Sequence, residues 1–327
     1  MIQAVLLFIL GLILLIKGGD WFVDGATGIA ERFHIPEILI GATVVSIGTT
    51  LPEVMVSATS AAKGIGDMAY GNAIGSVICN TALISAITIA VKPSKVEKKS
   101  LMLPVVFFFA AAAIYAGVAY TTQFFSRPVG LLLLLMFVVY MIIIVRQAFS
   151  GQGAGQNNIE ETDAAAEHND IPLWKEILML VIGAAAIAVG ADLLVDNGTY
   201  IATALGVPAS VIALTFVALG TSLPELVTAI TSLAKGHGAL SLGNVIGANL
   251  FNIVLVSGIS ISIAPFSVPM GKVVAGMNAS LLIDIPVMLF VMLFLTVPAL
   301  VKGKLSRYQG IILLVVYFSY CVMQFVL

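Results

Sequence analysis

Two glutamates sit where a charge is expensive. Glu53 and Glu225 each close the hexapeptide G-T-[TS]-L-P-E, at 48–53 and 220–225, inside long apolar runs. An ionisable residue at the centre of a membrane helix costs a few kcal/mol, so its presence twice, in matched settings, points to a paired site. Pro52 and Pro224 have no N–H and leave the carbonyls of Gly48 and Gly220 without their helical donor. The resulting break frees backbone oxygens around 46–49 and 218–221. Such backbone is tolerated in lipid only where protein buries it or water reaches it. Thr49 and Thr221 precede the glutamates by four residues, on the same helix face, with Thr50 and Ser222 beside them. Carboxylates, hydroxyls and freed carbonyls are the oxygens that replace the water shell of a hard cation.

A second segment follows each of these. GNAIGS at 71–76 and GNVIGA at 243–248 carry the small-residue spacing that lets helices approach closely. Ser76 shares a face with Asn80, and Ala248 with Asn252, so Asn80 and Asn252 present neutral amide oxygens on that face. Asn72 and Asn244, one turn earlier, read as helix-to-helix hydrogen-bonding residues.

These segments belong to an internal repeat. Residues 41–88 and 213–260 align without a gap at a constant offset of 172, with 21 of 48 pairs identical. Asp20, Asp24 and Pro36 match Asp192, Asp196 and Pro208 in the same register. Apolar runs predict ten spans, near 2–24, 36–60, 68–91, 101–120, 127–147, 173–196, 208–232, 239–264, 281–300 and 306–326. Five spans per copy means that the second copy enters the membrane from the opposite side. The expected fold is therefore an all-α integral membrane protein of ten transmembrane helices. It forms two inverted five-helix repeats, 1–147 and 173–327, with Pro-interrupted helices meeting at the midplane. Residues 148–172 link them.

Composition agrees. Of 327 residues 60% are hydrophobic and only 10% charged, and the mean hydropathy is +1.11, whereas a soluble domain carries about 25% charged residues. A water-soluble enzyme, a disordered chain and a nucleic-acid binder are excluded, the last for want of a basic face. The long continuous runs exclude a β-barrel. Twelve Lys and Arg residues follow odd-numbered spans, Lys17 and Arg32 among them, against Lys63, Arg127 and Lys272 on the other side. That asymmetry predicts a multi-pass protein of the cytoplasmic (plasma) membrane, with both termini outside and residues 148–172 in the cytoplasm.

The other polar residues read as structural. Glu160, Glu161, Asp163, Glu167 and Asp170 make an acidic solvated connector without calcium-loop spacing. Asp20, Asp24, Asp192 and Asp196 fall at the predicted ends of spans one and six, where the interface solvates them. Asp284 precedes Ile285-Pro286 and suits a helix N-terminus. His34, His168 and His237 are in loops, away from any ligand cluster, and Cys79 and Cys321 are thiols within apolar runs. Residues 2–16 have neither a basic leader nor a cleavage site and are expected to stay as the first helix. No catalytic constellation is present in the sequence, so no enzyme activity, cofactor or protein partner is expected.

The paired G-T-[TS]-L-P-E and G-N-x-[IV]-G-[SA]-x-x-x-N segments resemble the two alpha-repeats of the sodium/calcium exchanger family, within the cation/calcium antiporter superfamily. The short central loop is similar to that of compact prokaryotic calcium/sodium antiporters. The resemblance implies antiport of Ca²⁺ and Na⁺ through one shared site, with spans one and six as the moving gate. It implies cation ligation by Glu53, Glu225, the hydroxyls of Thr49, Thr50, Thr221, Ser222 and Ser76, the amides of Asn80 and Asn252, and the carbonyls of Ser46 and Ala218. Ala248 stands where many members have Ser, Val77 where many have Asn, and Asn occupies both 80 and 252 where some have Asp. Residue types alone also admit a cation/proton exchanger on the same scaffold and, as a different class, a cation channel.

Overall fold

A computed structural model describes residues 1–93, 95–149, 171–205, 220–270, 273–274 and 277–326. Among them ten helices follow in order. The first five are α1 (Ile2–Arg32), α2 (Glu37–Ala62), α3 (Gly66–Val91), α4 (Lys98–Thr121) and α5 (Arg127–Phe149). The second five are α6 (Leu173–Ala204), α7 (Leu223–Ala234), α8 (Gly238–Ile263), α9 (Ser280–Lys302) and α10 (Arg307–Val326). Eight of these are long and apolar enough to cross a bilayer, and α7 is a shorter apolar helix. The protein is a multi-pass membrane protein. Most of the 148–172 linker and the start of the predicted seventh span, including Ala218, lie outside the described residues.

Two spans outrun their predicted ends. α1 continues from 24 to Arg32 and α6 from 196 to Ala204. The polar residues Asp20, Asp24, Asp192 and Asp196 look like boundaries, but no proline follows them until Pro36 and Pro208, and a helix stops before proline rather than at an aspartate. These four acids therefore stand on helices, and Lys17, counted with a loop, stands exposed in mid-α1.

The long helices α1 and α6 pack antiparallel along a glycine seam. A Cβ at Gly11 would lie 2.9 Å from Gly190 O, and one at Gly183 would lie 2.8 Å from Gly18 O. The offset of 172 turns one contact into the other, which is the inverted two-fold written in backbone. Seven-residue spacing keeps Gly11, Gly18 and Gly25 on one face, where only glycine admits the facing backbone.

The remaining helices form the core body. Gly243 and Gly247 of α8 take the backbone of α2 at Ile38 and Ala42, and the Tyr140 hydroxyl of α5 donates to Ala42 O at 3.0 Å. Among the described residues four π turns occur in the helices, at Gly41–Val45, Asn80–Ser85, Asn252–Val256 and Ser280–Asp284. One extra residue per turn redirects the side chains that follow, and such turns concentrate at functional sites. At one end of the bundle a strand pair, β1 (Phe124–Phe125) with β2 (Phe266–Ser267), joins the two halves, and at the other Lys95 bridges Lys304.

Candidate cation site

The two G-T-[TS]-L-P-E segments bring their acids together in the interior. Glu53 lies in mid-α2 and Glu225 in the first turn of α7; both are 0% exposed, and each carboxylate is within electrostatic reach of the other. The interruption at proline takes two forms. Around Pro52 the helix runs on, with a donor missing inside it. At Pro224 a turn at Gly220–Ser222 leads into a helix whose first turn holds the proline.

Two asparagines knit the repeats. The hydroxyls of Ser46 and Thr49 donate to Asn244 on α8, Thr49 Oγ1 at 3.2 Å from Asn244 Oδ1. In mirror image, Thr221 Oγ1 lies 3.4 Å from Asn72 Oδ1, and Asn72 Nδ2 donates to Glu53 O at 3.2 Å and Ser57 Oγ at 2.8 Å. These bonds fix the α2–α8 and α2–α3 crossings and tie the turn before α7 to α3, holding the threonines beside the glutamates. Thr49 and Thr50 face the Glu225 carboxylate, without closing a hydrogen bond to its oxygens.

What remains is a buried set of oxygens with nothing to accept. Both oxygens of Glu53 and of Glu225, Thr50 Oγ1, and the side-chain amides of Asn80 and Asn252 are buried without a hydrogen-bond partner. Ser76 and Ser222 are buried nearby in sequence on α3 and at the cap of α7, and Ser46 is fully buried at the first turn after a π turn. A buried ion without a counter-charge costs several kcal/mol, and native proteins leave few such groups unpaired. Two carboxylates and several neutral oxygens, with no hydrogen bond closed on them, fit a hard cation. Among the described residues no three His, Cys, Asp or Glu side chains gather into a metal-binding group, so neutral oxygens must supply the rest of any shell. A cleft of about 190 Å³ beside Thr49, Pro52 and Pro224 is walled by Phe22 of α1 and Ala184, Ile187 and Ala188 of α6.

Three features escaped the sequence reading. Thr228, one turn past Glu225 on its face, is fully buried with an unpartnered hydroxyl; its spacing was the available signal. Asn249 Nδ2 donates to Thr81 Oγ1 at 2.7 Å across the two π-turn helices, a contact no spacing announces. Asp284 is not a helix cap: it ends a π turn and accepts hydrogen bonds from Tyr320 Oη at 3.0 Å and Gln324 Nε2 at 2.7 Å. The helix begins earlier than Ile285-Pro286 suggests, so the carboxylate faces α10 instead of free N–H groups.

The profile of the sodium/calcium exchanger protein family matches residues 3–146 and 175–326. The chain belongs to the sodium/calcium exchanger family. Within this family it is 36% identical over 325 residues to the putative antiporter CaxA of Alkalimonas amylolytica, covering 98% of each chain. It is 30% identical to the sodium/calcium exchanger MaX1 of Methanosarcina acetivorans, again over 98% of each. Its fold matches the sodium-calcium exchanger NCX_Mj, solved after soaking with Na⁺ and Ca²⁺, with a TM-score of 0.78 at 32% identity over 97% of each chain. The exchanger family is one of transporters, and calcium/sodium antiport is the activity its membership carries.

Proposed function

We propose that this exchanger moves Ca²⁺ against Na⁺ by alternating access to the pocket between Glu53 and Glu225. The observation that carries the reading is the pair of fully buried carboxylates without partners. Their formal charge of −2 is neutralised by one Ca²⁺ or by at least two Na⁺. In low dielectric, an empty pocket or one holding both loads leaves charge uncompensated, at a cost of several kcal/mol. Mutual exclusion follows from that cost, and coupling follows from mutual exclusion. The ligands are Glu53, Glu225, Thr49, Thr50, Thr221, Ser222, Ser76, Asn80 and Asn252, with the carbonyls of Ser46 and Ala218.

The glycine seam makes α1 and α6 one body, and that body moves past the core to expose the pocket to either side. The α7–α8 turn lies in the cytoplasm and both termini outside on this reading, which the basic-residue asymmetry supports. Radioactive calcium uptake into vesicles, driven in turn by an imposed sodium gradient and by an imposed pH gradient, tests the assignment. Sodium drives uptake on this reading; uptake driven by protons alone overturns it.

A further inference from the structure

At one end of the bundle α1 is fastened to the core by charge. Lys235, the residue after α7, places its Nζ 2.6 Å from Asp24 Oδ1 and 3.5 Å from Asp20 Oδ1, and also donates to the Asp20 carbonyl at 3.2 Å. The α7 face that leads to Lys235 is covered by α1: a Cβ at Gly19 would lie 2.8 Å from both Val227 Cγ1 and Thr231 Oγ1.

The charged groups and the α7 face have counterparts at the offset of 172, whereas Gly19 is replaced by Ala191, whose methyl the second contact must accommodate. Lys235 corresponds to Lys63, Val227 to Met55, Thr231 to Thr59, and Asp20 and Asp24 to Asp192 and Asp196. The inversion puts this second set at the opposite end of the bundle, and there the contact is open. Met55 is 65% exposed and Leu51, one turn before it, 53%. Lys63, Asp192 and Asp196 are exposed, and among the described residues no ion pair joins them. Lipid would accept Leu51 and Met55, but it gives no reason for two uncompensated carboxylates on α6 at the positions where α1 carries paired ones. The charges are complementary, the helix faces correspond apart from Ala191 in place of Gly19, and the seam makes α1 and α6 travel together.

We propose that Lys63 and the pair Asp192/Asp196 form a second latch. It closes when α6 settles on the open face of α2, in the conformation where the Lys235 latch has parted. The two latches are one contact used at alternate ends, each holding one side of the pocket shut. Two short-range charge pairs that exclude one another give the bundle two discrete positions instead of a continuum. This proposal rests on the alternating-access reading above, but not on which ion drives it.

Paired cysteines test it in a background with Cys79 and Cys321 replaced by alanine. Lys235→Cys with Asp24→Cys marks the closed latch, and Lys63→Cys with Asp196→Cys the other. Oxidation in membranes containing sodium, calcium or neither should cross-link both pairs, each with complete loss of exchange that reductant reverses. A Lys63/Asp196 pair that never cross-links, while the Lys235/Asp24 pair does, overturns the proposal. A charge swap gives a second test: Lys63→Asp should slow exchange, and Lys63→Asp with Asp196→Lys should restore it. No restoration counts against the latch. Sodium-driven exchange without the second cross-link sinks the latches alone, whereas both cross-links with sodium-independent flux sink the exchange reading alone.

Discussion

One hexapeptide, G-T-[TS]-L-P-E, identical in five of its six residues between the copies, adopts two backbones in this molecule. In the first copy the helix continues from Ser46 through Pro52 to Ala62, and Glu53 sits in its middle. In the second, Gly220–Ser222 form a turn and Glu225 falls in the first helical turn. Proline costs about 3 kcal/mol inside a helix and almost nothing in its first turn. A glutamate in the first helical turn also feels the positive end of the helix dipole, which is weaker at Glu53 in mid-helix. Nearly identical sequence therefore yields two unequal half-sites. Inequality is what the proposed alternating access requires, since in it the two halves exchange roles.

The largest effect tests what the halves share. Glu53→Gln or Glu225→Gln should each abolish calcium flux in vesicles while detergent-solubilised protein keeps its elution volume, and flux at the unmodified rate in either would refute the paired-carboxylate site. Proline tests what separates them. Pro52→Ala should raise stability to thermal unfolding by about 1–3 kcal/mol, because it restores a donor inside a continuous helix, and Pro224→Ala should change it by less than about 0.5 kcal/mol. Equal shifts would mean that the two backbones are not distinct.

The second segment differs in chemistry rather than backbone. Ser76 is buried at a position where its counterpart, Ala248, has no hydroxyl. Ser76→Ala should weaken sodium activation of exchange about three- to tenfold, on the order of 1 kcal/mol for one lost ligand, and Ala248→Ser should strengthen it by a similar factor. Sodium titrations of calcium uptake measure both.

The smallest effect concerns pH. His237 Nδ1 lies 2.7 Å from Glu37 Oε1, joining the α7–α8 turn to the start of α2. That hydrogen bond, opposed by burial and helped by the charges of Glu37, Glu31 and Asp24, holds the imidazole above its ordinary pKa. The group is charged in the fold more readily than in the unfolded chain. Its stabilisation is therefore full below the ordinary imidazole value of about 6.5 and is lost as pH rises through the raised one. Melting followed across about pH 5.5 to 9 should show a loss of less than about 1 kcal/mol that His237→Gln removes.

Much of this could be read from the residues. Hydrophobic runs located ten helices, because burying backbone in lipid leaves few alternatives. The repeat paired Glu53 with Glu225, because proline and an acid in mid-span are both costly enough to be noticed. What stayed hidden was set by neighbours distant in sequence. Nothing near Asp24 says that α1 continues to Arg32, since a helix end depends on the next breaker and on what lies alongside. Asp284 resembled a cap until Tyr320 and Gln324, 36 and 40 residues on, supplied its donors. π turns leave no mark in an apolar alphabet, yet they set where Asn80 and Asn252 point.

The glycine seam bears on how such a chain is assembled. α1 leans on α6, a helix that its own half does not contain, and α6 leans on α1 in return. Neither half is a finished object, so a polypeptide severed within residues 150–170 should regain transport only when both fragments are made together and inserted with opposite topologies. A single five-helix ancestor would have needed to insert both ways up and find its own upside-down copy.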